Sequence, residues 1–403
     1  MPRPRRRRVR LARRVTLLER IDLGELQSTL KTLGLDGWLL YDFRGVNPVA
    51  RRVVGLGGLV TRRVYVWLPA SGRPVALVHR IELGAVAAFP GEVRSYGSWR
   101  ELEQQLGALV RGRRVALEIS PDGGVPYLDR VPAGAAKVLE RIGAVMSSSA
   151  PLVSRFAAGW TAAERQDHRA AAEMLADTAR AVLREAVREA GKATENAVQR
   201  RVPERLEAAG LNAPVSPIVG FGPHAANPHY EPREGDEVVL QPGQIVLLDL
   251  WARRTRGTVF ADQTWMGFAG TSPPDDVARV WEAVRDARDA VLDRLRSAWG
   301  SGPLTGADLD DVARGVITSR GYGDAFLHRT GHSIDSDLHG SGPNLDNFET
   351  NDTRELVVGL GFSVEPGIYL DGRFGVRSEV NVFIDDAGPQ VTPREIQRAL
   401  ITL

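Results

Sequence analysis

Gln244-Ile245-Val246-Leu247-Leu248-Asp249-Leu250-Trp251 is an apolar run with a single acid inside it. Its length and branched side chains read as a buried strand. A second run, Thr258-Val259-Phe260-Ala261-Asp262-Gln263-Thr264-Trp265, follows across Arg253-Arg254-Thr255-Arg256-Gly257. Paired positions in a hairpin have a constant sum. A turn centred on Thr255-Arg256 therefore sets Asp249 directly against Asp262, and both carboxylates share one face of a buried sheet. That is electrostatically costly unless a cation or a proton lies between them.

The same reading applies near the C-terminus. Gly361-Phe362-Ser363-Val364-Glu365-Pro366-Gly367-Ile368-Tyr369 and Val376-Arg377-Ser378-Glu379-Val380-Asn381-Val382 are strand-like, with the turn signal Asp371-Gly372 between them. A hairpin centred on Gly372 places Glu365 opposite Glu379, and period-2 alternation puts Arg377 on the face of Glu379. Five of the seven histidines fall between residues 224 and 339, among them His328, His332 and His339 in one short stretch. Four acids in two apolar hairpins, with imidazoles nearby, form a donor set for divalent metal. Oxygen and imidazole ligands suit manganese, cobalt or zinc better than calcium or a soft metal. Two ions about 3.5–4 Å apart can share a water and lower its pKa. Any one of these acids alone reads better as an edge or turn residue; the conjunction carries the inference.

Working outward, the first half alternates helical and strand patterns. Leu17–Leu33 has helical spacing, and Trp38–Tyr41 is an apolar strand. Val64–Leu68 and Pro74–Val78 flank Ala70-Ser71-Gly72, a hairpin signal. A helix near Trp99–Leu109 and a strand over Arg114–Glu118 complete an α/β pattern. Its one histidine, His79, has no cluster of ligand-type residues around it. Met146-Ser147-Ser148-Ser149-Ala150-Pro151 reads as a boundary. Thr161-Ala162-Ala163-Glu164 then fits a capping box opening a helix to about Glu189. Another helix is expected from Thr194 toward Leu206, interrupted or restarted at Pro203.

The 403 residues are 43% hydrophobic and 25% charged, the range of a globular chain long enough for two domains. No run of eighteen apolar residues occurs, so no membrane helix is expected. Cysteine is absent, which excludes thiolate metal sites, disulfides and cysteine nucleophiles, and fits the cytoplasm. Residues 1–14 hold eight arginines and no acid; removing these from the net charge of +2 leaves the rest at −6. The arm is expected to be disordered and solvated, with nucleic-acid contact as the alternative.

Pro228-His229-Tyr230, the Asp249 and Asp262 pair, His328-x-x-Gly331-His332, Val364-Glu365-Pro366-Gly367-Ile368-Tyr369 and Val376-Arg377-Ser378-Glu379 occur in this order. The set resembles the pita-bread metallopeptidases, and within them the prolidase and Xaa-Pro aminopeptidase branch. Beyond the basic arm over 1–14, the resemblance implies an α+β fold: a creatinase-type α/β domain over 15–157 and a pita-bread catalytic domain over 158–403. It implies two divalent ions (manganese, cobalt or zinc) held by Asp249, Asp262, His332, Glu365 and Glu379, with Asp262 and Glu379 bridging. The implied reaction is hydrolysis of the Xaa-Pro bond of dipeptides by a hydroxide held between the ions. Glu365 would shuttle the proton, His339 would steady the oxyanion, and His229 would lie near the scissile amide. His328 and Arg377 would surround the proline pocket and its carboxylate. Tyr369 lies in a matching strand with a less defined role. A homodimer is also implied.

Departures from the family pattern are visible. The two aspartates are thirteen positions apart instead of the usual eleven, Asp262-Gln263-Thr264-Trp265 ends without the usual arginine, Gly340 follows His339 where an acid is common, and Ser333 and Asp335 replace glycines. These leave the ligand set intact and bear on substrate range. The competing expectations are an Xaa-Pro aminopeptidase acting on longer peptides, a metal-free hydrolase of the creatinase kind, and a non-catalytic module binding nucleic acid or protein.

Overall fold

The structure, a computed structural model, describes residues 17–56, 60–233, 235 and 238–403. The arginine-rich arm expected to be disordered lies outside the described residues. The chain divides into two compact units. One comprises the chain up to Ile119 with Leu128–Ser149, the other Ser120–Tyr127 with Ala150–Leu403.

In the first unit, strands β1 (Gly37–Phe43), β2 (Arg63–Pro69), β3 (Val75–His79), β4 (Glu92–Tyr96), β5 (Arg114–Leu117) and β6 (Val145–Ser148) form one sheet in the order β4-β3-β2-β1-β5-β6. Pairs β1/β2 and β2/β3 are antiparallel, whereas β3/β4, β1/β5 and β5/β6 are parallel. The parallel steps need crossovers, and helices α3 (Trp99–Val110) and α4 (Ala133–Ile142) supply them. Helices α1 (Leu23–Thr32) and α2 (Pro48–Val54) complete the unit. Leu39, Leu77, Leu102, Leu106, Leu117 and Leu139 form its core. The small polar stretch expected as a boundary holds the end of β6, an edge strand, and the first unit stops within it, at Ser149. Short polar residues suit an edge: Ser148 Oγ donates to the Ile119 carbonyl, and the Ser149 N–H reaches the Leu117 carbonyl.

The second unit starts with a short helical piece, α5 (Ala150–Leu152), which passes into a π turn over Val153–Ala157. Helix α6 (Ala162–Arg188) opens with the anticipated capping box, the Thr161 hydroxyl and the Glu164 carboxylate each capping the other's backbone N–H. Helix α7 (Glu195–Ala208) runs through Pro203 without the expected interruption. Proline removes one N–H from the ladder, but Val198, Val202 and Leu206 form a buried stripe that holds both sides of it. Two longer crossings, α8 (Asp275–Ala298) and α9 (Gly306–Ser319), pack against the remaining sheets.

Three small sheets carry the acids. Strands β7 (Ile218–Phe221), β8 (Ile245–Ala252) and β9 (Ala261–Phe268) form the first. Strands β10 (Gly361–Val364), β13 (Val380–Asp385) and β14 (Gly388–Thr392) form the second, and β11 (Gly367–Leu370) with β12 (Phe374–Arg377) the third.

The β8–β9 register corrects the expected pairing of the aspartates. Asp249 faces Thr264 and Asp262 faces Trp251, so the two acids are diagonal neighbours on one face. The cause lies in the turn. Gly257 takes a left-handed φ of 91°, and the Thr258 N–H closes on the Thr255 carbonyl, which moves the centre of the hairpin one step along the chain.

At the C-terminus the register is the one anticipated. Gly367 faces Arg377 in β11–β12, and Val364 faces Val380 in β10–β13, so the same line continues through positions 365 and 379. The ladder itself breaks at those positions. The Glu365 N–H goes to the Thr330 carbonyl and the Glu379 N–H to the Thr264 carbonyl, which turns both acids toward the β8–β9 sheet.

Candidate metal centre

Asp262, His332 and Glu379 each bring a donor atom to within 4.8 Å of the others, and all three side chains are buried. Nε2 of His332 lies 3.4 Å from Asp262 Oδ2 and 3.4 Å from Glu365 Oε1. Asp249 is buried beside them, its Oδ2 taking a hydrogen bond of 2.5 Å from Arg377 Nη2. The carboxylates are tied to one another through side chains from β9 and β12. Arg377 Nε donates to Thr264 Oγ1 (2.8 Å), and that hydroxyl donates to Glu379 Oε2 (2.9 Å).

A pattern runs through the acids. Asp249, Asp262 and Glu379 each have one oxygen engaged by a neighbouring side chain. Their other oxygens, Asp249 Oδ1, Asp262 Oδ1 and Glu379 Oε1, are buried with no hydrogen-bond partner. A buried carboxylate oxygen left this way is unfavourable by about 1–3 kcal/mol. The imidazole points to the same remedy. His332 Nδ1 lies 3.0 Å from the Ser333 carbonyl, so a proton on that nitrogen leaves a lone pair on Nε2, aimed at two carboxylates. With the proton on Nδ1, that lone pair faces Asp262 Oδ2 as well, so buried acceptors gather here with too few donors. Divalent cations fit this donor set.

The titration behaviour agrees. Burial first, and then the charges of Asp262 and Glu365, outweigh Arg377 and push Asp249 up to about 7. Burial also raises Asp262 and drives Glu379 well above the carboxylate range, the latter reinforced by Asp262, Glu365 and Asp249. Glu365 behaves oppositely. Burial would raise it, but the charges of His332, Arg377 and His328 hold it down at about 2. His332 is desolvated, yet Asp262 and Glu365 raise it. Metal ions would replace these protons as the source of positive charge.

Local structure aims each ligand. Gly331 passes so close to β10 that a Cβ there would collide with the Ser363 carbonyl. The Ser363 hydroxyl accepts from the His332 N–H (2.9 Å) and donates to Glu365 Oε1 (3.0 Å). Asn381 Oδ1 accepts the Asp262 N–H. Neither Ser363 nor Asn381 was singled out by the sequence reading, although each sits two residues from a ligand on the same strand face. That alternation was the available signal.

The remaining expected site residues surround this cluster. The rings of His339 and His332 are 4.1 Å apart, and the charge of His332, followed by partial burial, holds His339 at about 3. His229 is exposed on the loop after β7 and lines a cavity of about 380 Å³ with His224, Asn227, Tyr230, Glu231 and Arg233. His328 uses both ring nitrogens, one against the Arg329 carbonyl (2.7 Å) and one against the Tyr369 hydroxyl (2.8 Å). Arg377 is buried and commits its donors to Asp249, Thr264 and, at 3.5 Å, Tyr369.

Residues 166–386, more than half of the chain, match the model of metallopeptidase family M24. The chain belongs to metallopeptidase family M24. Among its M24 relatives, an Xaa-Pro dipeptidase of Lactobacillus delbrueckii subsp. lactis is 35% identical over 175 residues, 43% of this chain and 44% of that protein. A probable dipeptidase PepE of Mycobacterium tuberculosis is 34% identical over 197 residues, 48% of each chain. The chain thus aligns in sequence with less than half the length of these curated relatives. In three dimensions the likeness is fuller. The crystal structure of dipeptidase PepE from Mycobacterium ulcerans superposes with a TM-score of 0.74 and 26% identity, over 94% of this chain and 96% of that one. This M24 chain therefore has the two-domain pita-bread fold of the prolidase and aminopeptidase P branch, and divalent metal belongs to its chemistry.

Proposed function

We propose that this M24 chain is an Xaa-Pro dipeptidase using two divalent ions, with manganese, cobalt and zinc the candidates. The observation that carries the reading is the set of three buried, unpartnered carboxylate oxygens beside Nε2 of His332. The dipeptidase names of its relatives support the substrate class.

Asp249, Asp262, His332, Glu365 and Glu379 would hold the ions. Bound there, the ions supply Lewis-acid polarisation of the scissile carbonyl and make a water acidic enough to attack at neutral pH. The side chains do the rest. Glu365, ionised and oriented by the Ser363 hydroxyl, takes the proton of the attacking water and returns it to the leaving nitrogen. His339, held neutral, donates a hydrogen bond to the developing oxyanion. His229 on its exposed loop faces the amide end of the substrate. Arg377 fixes Asp249 and, through Thr264, Glu379, while His328 and Arg377 both orient the Tyr369 hydroxyl. Assembly as a homodimer is part of the proposal and is read by light scattering.

The test is protein stripped of metal and resupplied separately with manganese, cobalt or zinc, assayed on Ala-Pro, Ala-Pro-Ala and Ala-Ala. Metal-dependent cleavage of Ala-Pro above the other two is expected. A preference for Ala-Pro-Ala makes the chain an aminopeptidase, and no cleavage with any metal sinks the hydrolytic reading.

A further inference from the structure

We propose that the first unit carries a binding site of its own, for a small anion bearing a planar ring, in the cavity at the carboxyl ends of β1, β3 and β4. The cavity measures about 450 Å³, and Tyr41, Phe43, Arg63, His79, Tyr96 and Trp99 line it. That volume is in the range of small-molecule sites. Every lining residue belongs to the first unit, so the site is independent of the hydrolytic reading.

The sheet register sets these side chains in a row. Phe43 faces Arg63 in β1–β2, and the β2–β3 register, with Tyr65 facing Leu77, continues to bring Arg63 level with His79. His79 is in turn level with Tyr96 in the parallel pair β3–β4. One face of the sheet therefore ends, across four strands, in a ring, a guanidinium, an imidazole and a ring. Tyr41, two residues before Phe43 on β1, shares that face. Helix α3 starts beside it, with Ser98 as its cap and Trp99 at its first position. In open α/β sheets, the crevice outside the carboxyl ends of the strands is where ligands bind.

What the row lacks is an acid. Among the described residues Arg63 makes no ion pair, and its guanidinium meets the Tyr96 hydroxyl instead. The neighbouring carboxylates are committed: Glu82 to Thr61 and the Arg62 N–H, Glu101 to Arg80 and the Gly97 N–H, Glu103 to Arg141. His79 Nδ1 accepts the Ile81 N–H (3.3 Å), which leaves its proton on Nε2. Tyr41 is buried, and its hydroxyl has no hydrogen-bond partner among the described residues. Burial raises this phenol and the charge of Arg63 only partly opposes it, so the hydroxyl stays a donor. A guanidinium, an imidazole N–H and a phenol O–H thus line one cavity without an acceptor, the inverse of the metal centre. An anion supplies the acceptor. Phe43 and Trp99 are both exposed, and their rings offer apolar faces for a planar group. Arg100 already lies over the Trp99 ring, 4.5 Å from its centre.

The experiment titrates the full chain, loaded with manganese, by calorimetry. AMP and indole-3-acetate carry a phosphate and a carboxylate on a ring, whereas adenosine and inorganic phosphate each lack one half. Saturable binding of AMP, indole-3-acetate or both is expected, about 10-fold or more tighter than adenosine and phosphate, and the better of the two identifies the anion. Arg63→Gln should weaken that binding by about 10- to 100-fold and Tyr41→Phe by about 3- to 10-fold. Both variants should keep the rise in melting temperature that manganese gives the wild type. Absence of binding by either compound, or binding unmoved by both substitutions, would overturn the site. So would binding that vanishes when the metal is stripped, which would place the anion at the metal centre. Should Arg63→Gln fail to fold, Tyr41→Phe and Trp99→Ala, the latter at the exposed rim, carry the same comparison.

Discussion

Asp262 and Glu379 are the residues whose situation is least tolerable without a cation. Each is buried, each has an unpartnered oxygen, and burial with neighbouring carboxylates raises both on the pH scale. Asp262→Asn keeps the shape and deletes the charge. Metal-stripped Asn variant should melt no lower than metal-stripped wild type, because one source of repulsion is gone. Manganese should raise the melting temperature of wild type and leave the variant unmoved, since a ligand stabilises only what binds it. Equal stabilisation of both by manganese would remove Asp262 from the ligand set. Thr264→Val probes the next layer, for it cuts the links to Glu379 and Arg377. Metal affinity, read by competition with a chelator, should fall about 10- to 100-fold. At this scale much of the cluster was legible, because acids inside apolar strands are conspicuous. Ser363 and Asn381 were hidden among ordinary strand residues.

Hairpins turn these residues into a cluster, and their turns decide the register. The C-terminal hairpin was readable because Asp371-Gly372 offers a single turn position, and Gly372 takes the positive φ it needs, 67°. The hairpin of β8 and β9 was misread by one step at its centre, because its arginine-rich loop offers several turn positions and only Gly257 can take the left-handed one without strain. Gly257→Ala should therefore cost about 1–2 kcal/mol in urea unfolding, the strain of a Cβ in that region. It should also weaken metal binding, as Asp262 shifts relative to Asp249. Unaltered metal affinity in a destabilised variant would show that the turn does not govern ligand placement. Pro203 was misjudged for a related reason: a propensity rule was applied where a buried apolar stripe decides the outcome.

Across the whole molecule, two buried titratable groups give the units opposite responses to acid. Glu118 in the first unit is raised to about 7 by burial, despite hydrogen bonds from Trp38, Asn47 and Ser149. Because its folded value lies above the unfolded one, its stabilising contribution is complete below pH about 4.5 and lost as pH rises to about 7. His168 in the second unit is held at about 4 by burial, between the Phe260 carbonyl and the Thr392 hydroxyl. Its contribution is complete above pH about 6.5 and lost as pH falls toward 4. Each effect is roughly 3 kcal/mol. Calorimetric scans from pH 7 to 5 should show an upward shift in melting that Glu118→Gln removes, and a downward shift that His168→Gln removes. Movement of both in one direction would refute the assignment.

The α/β character of the first half was legible from its periodicities, whereas the α+β class of the chain came from the resemblance, and the detour of the chain between the units was not legible. Composition marks residues 146–151 as a boundary, and the last change of unit falls there, between Ser149 and Ala150, although Met146–Ser148 still belong to an edge strand. No compositional signal announces that Ser120–Tyr127 belongs with the later residues.

That excursion has a practical consequence. The polypeptide changes allegiance after Ile119, again after Tyr127, and a third time after Ser149. No single cut, by protease or by cloning, separates the halves cleanly. A fragment beginning at Ala150 leaves eight amino acids behind, Ser120–Tyr127, that pack with it.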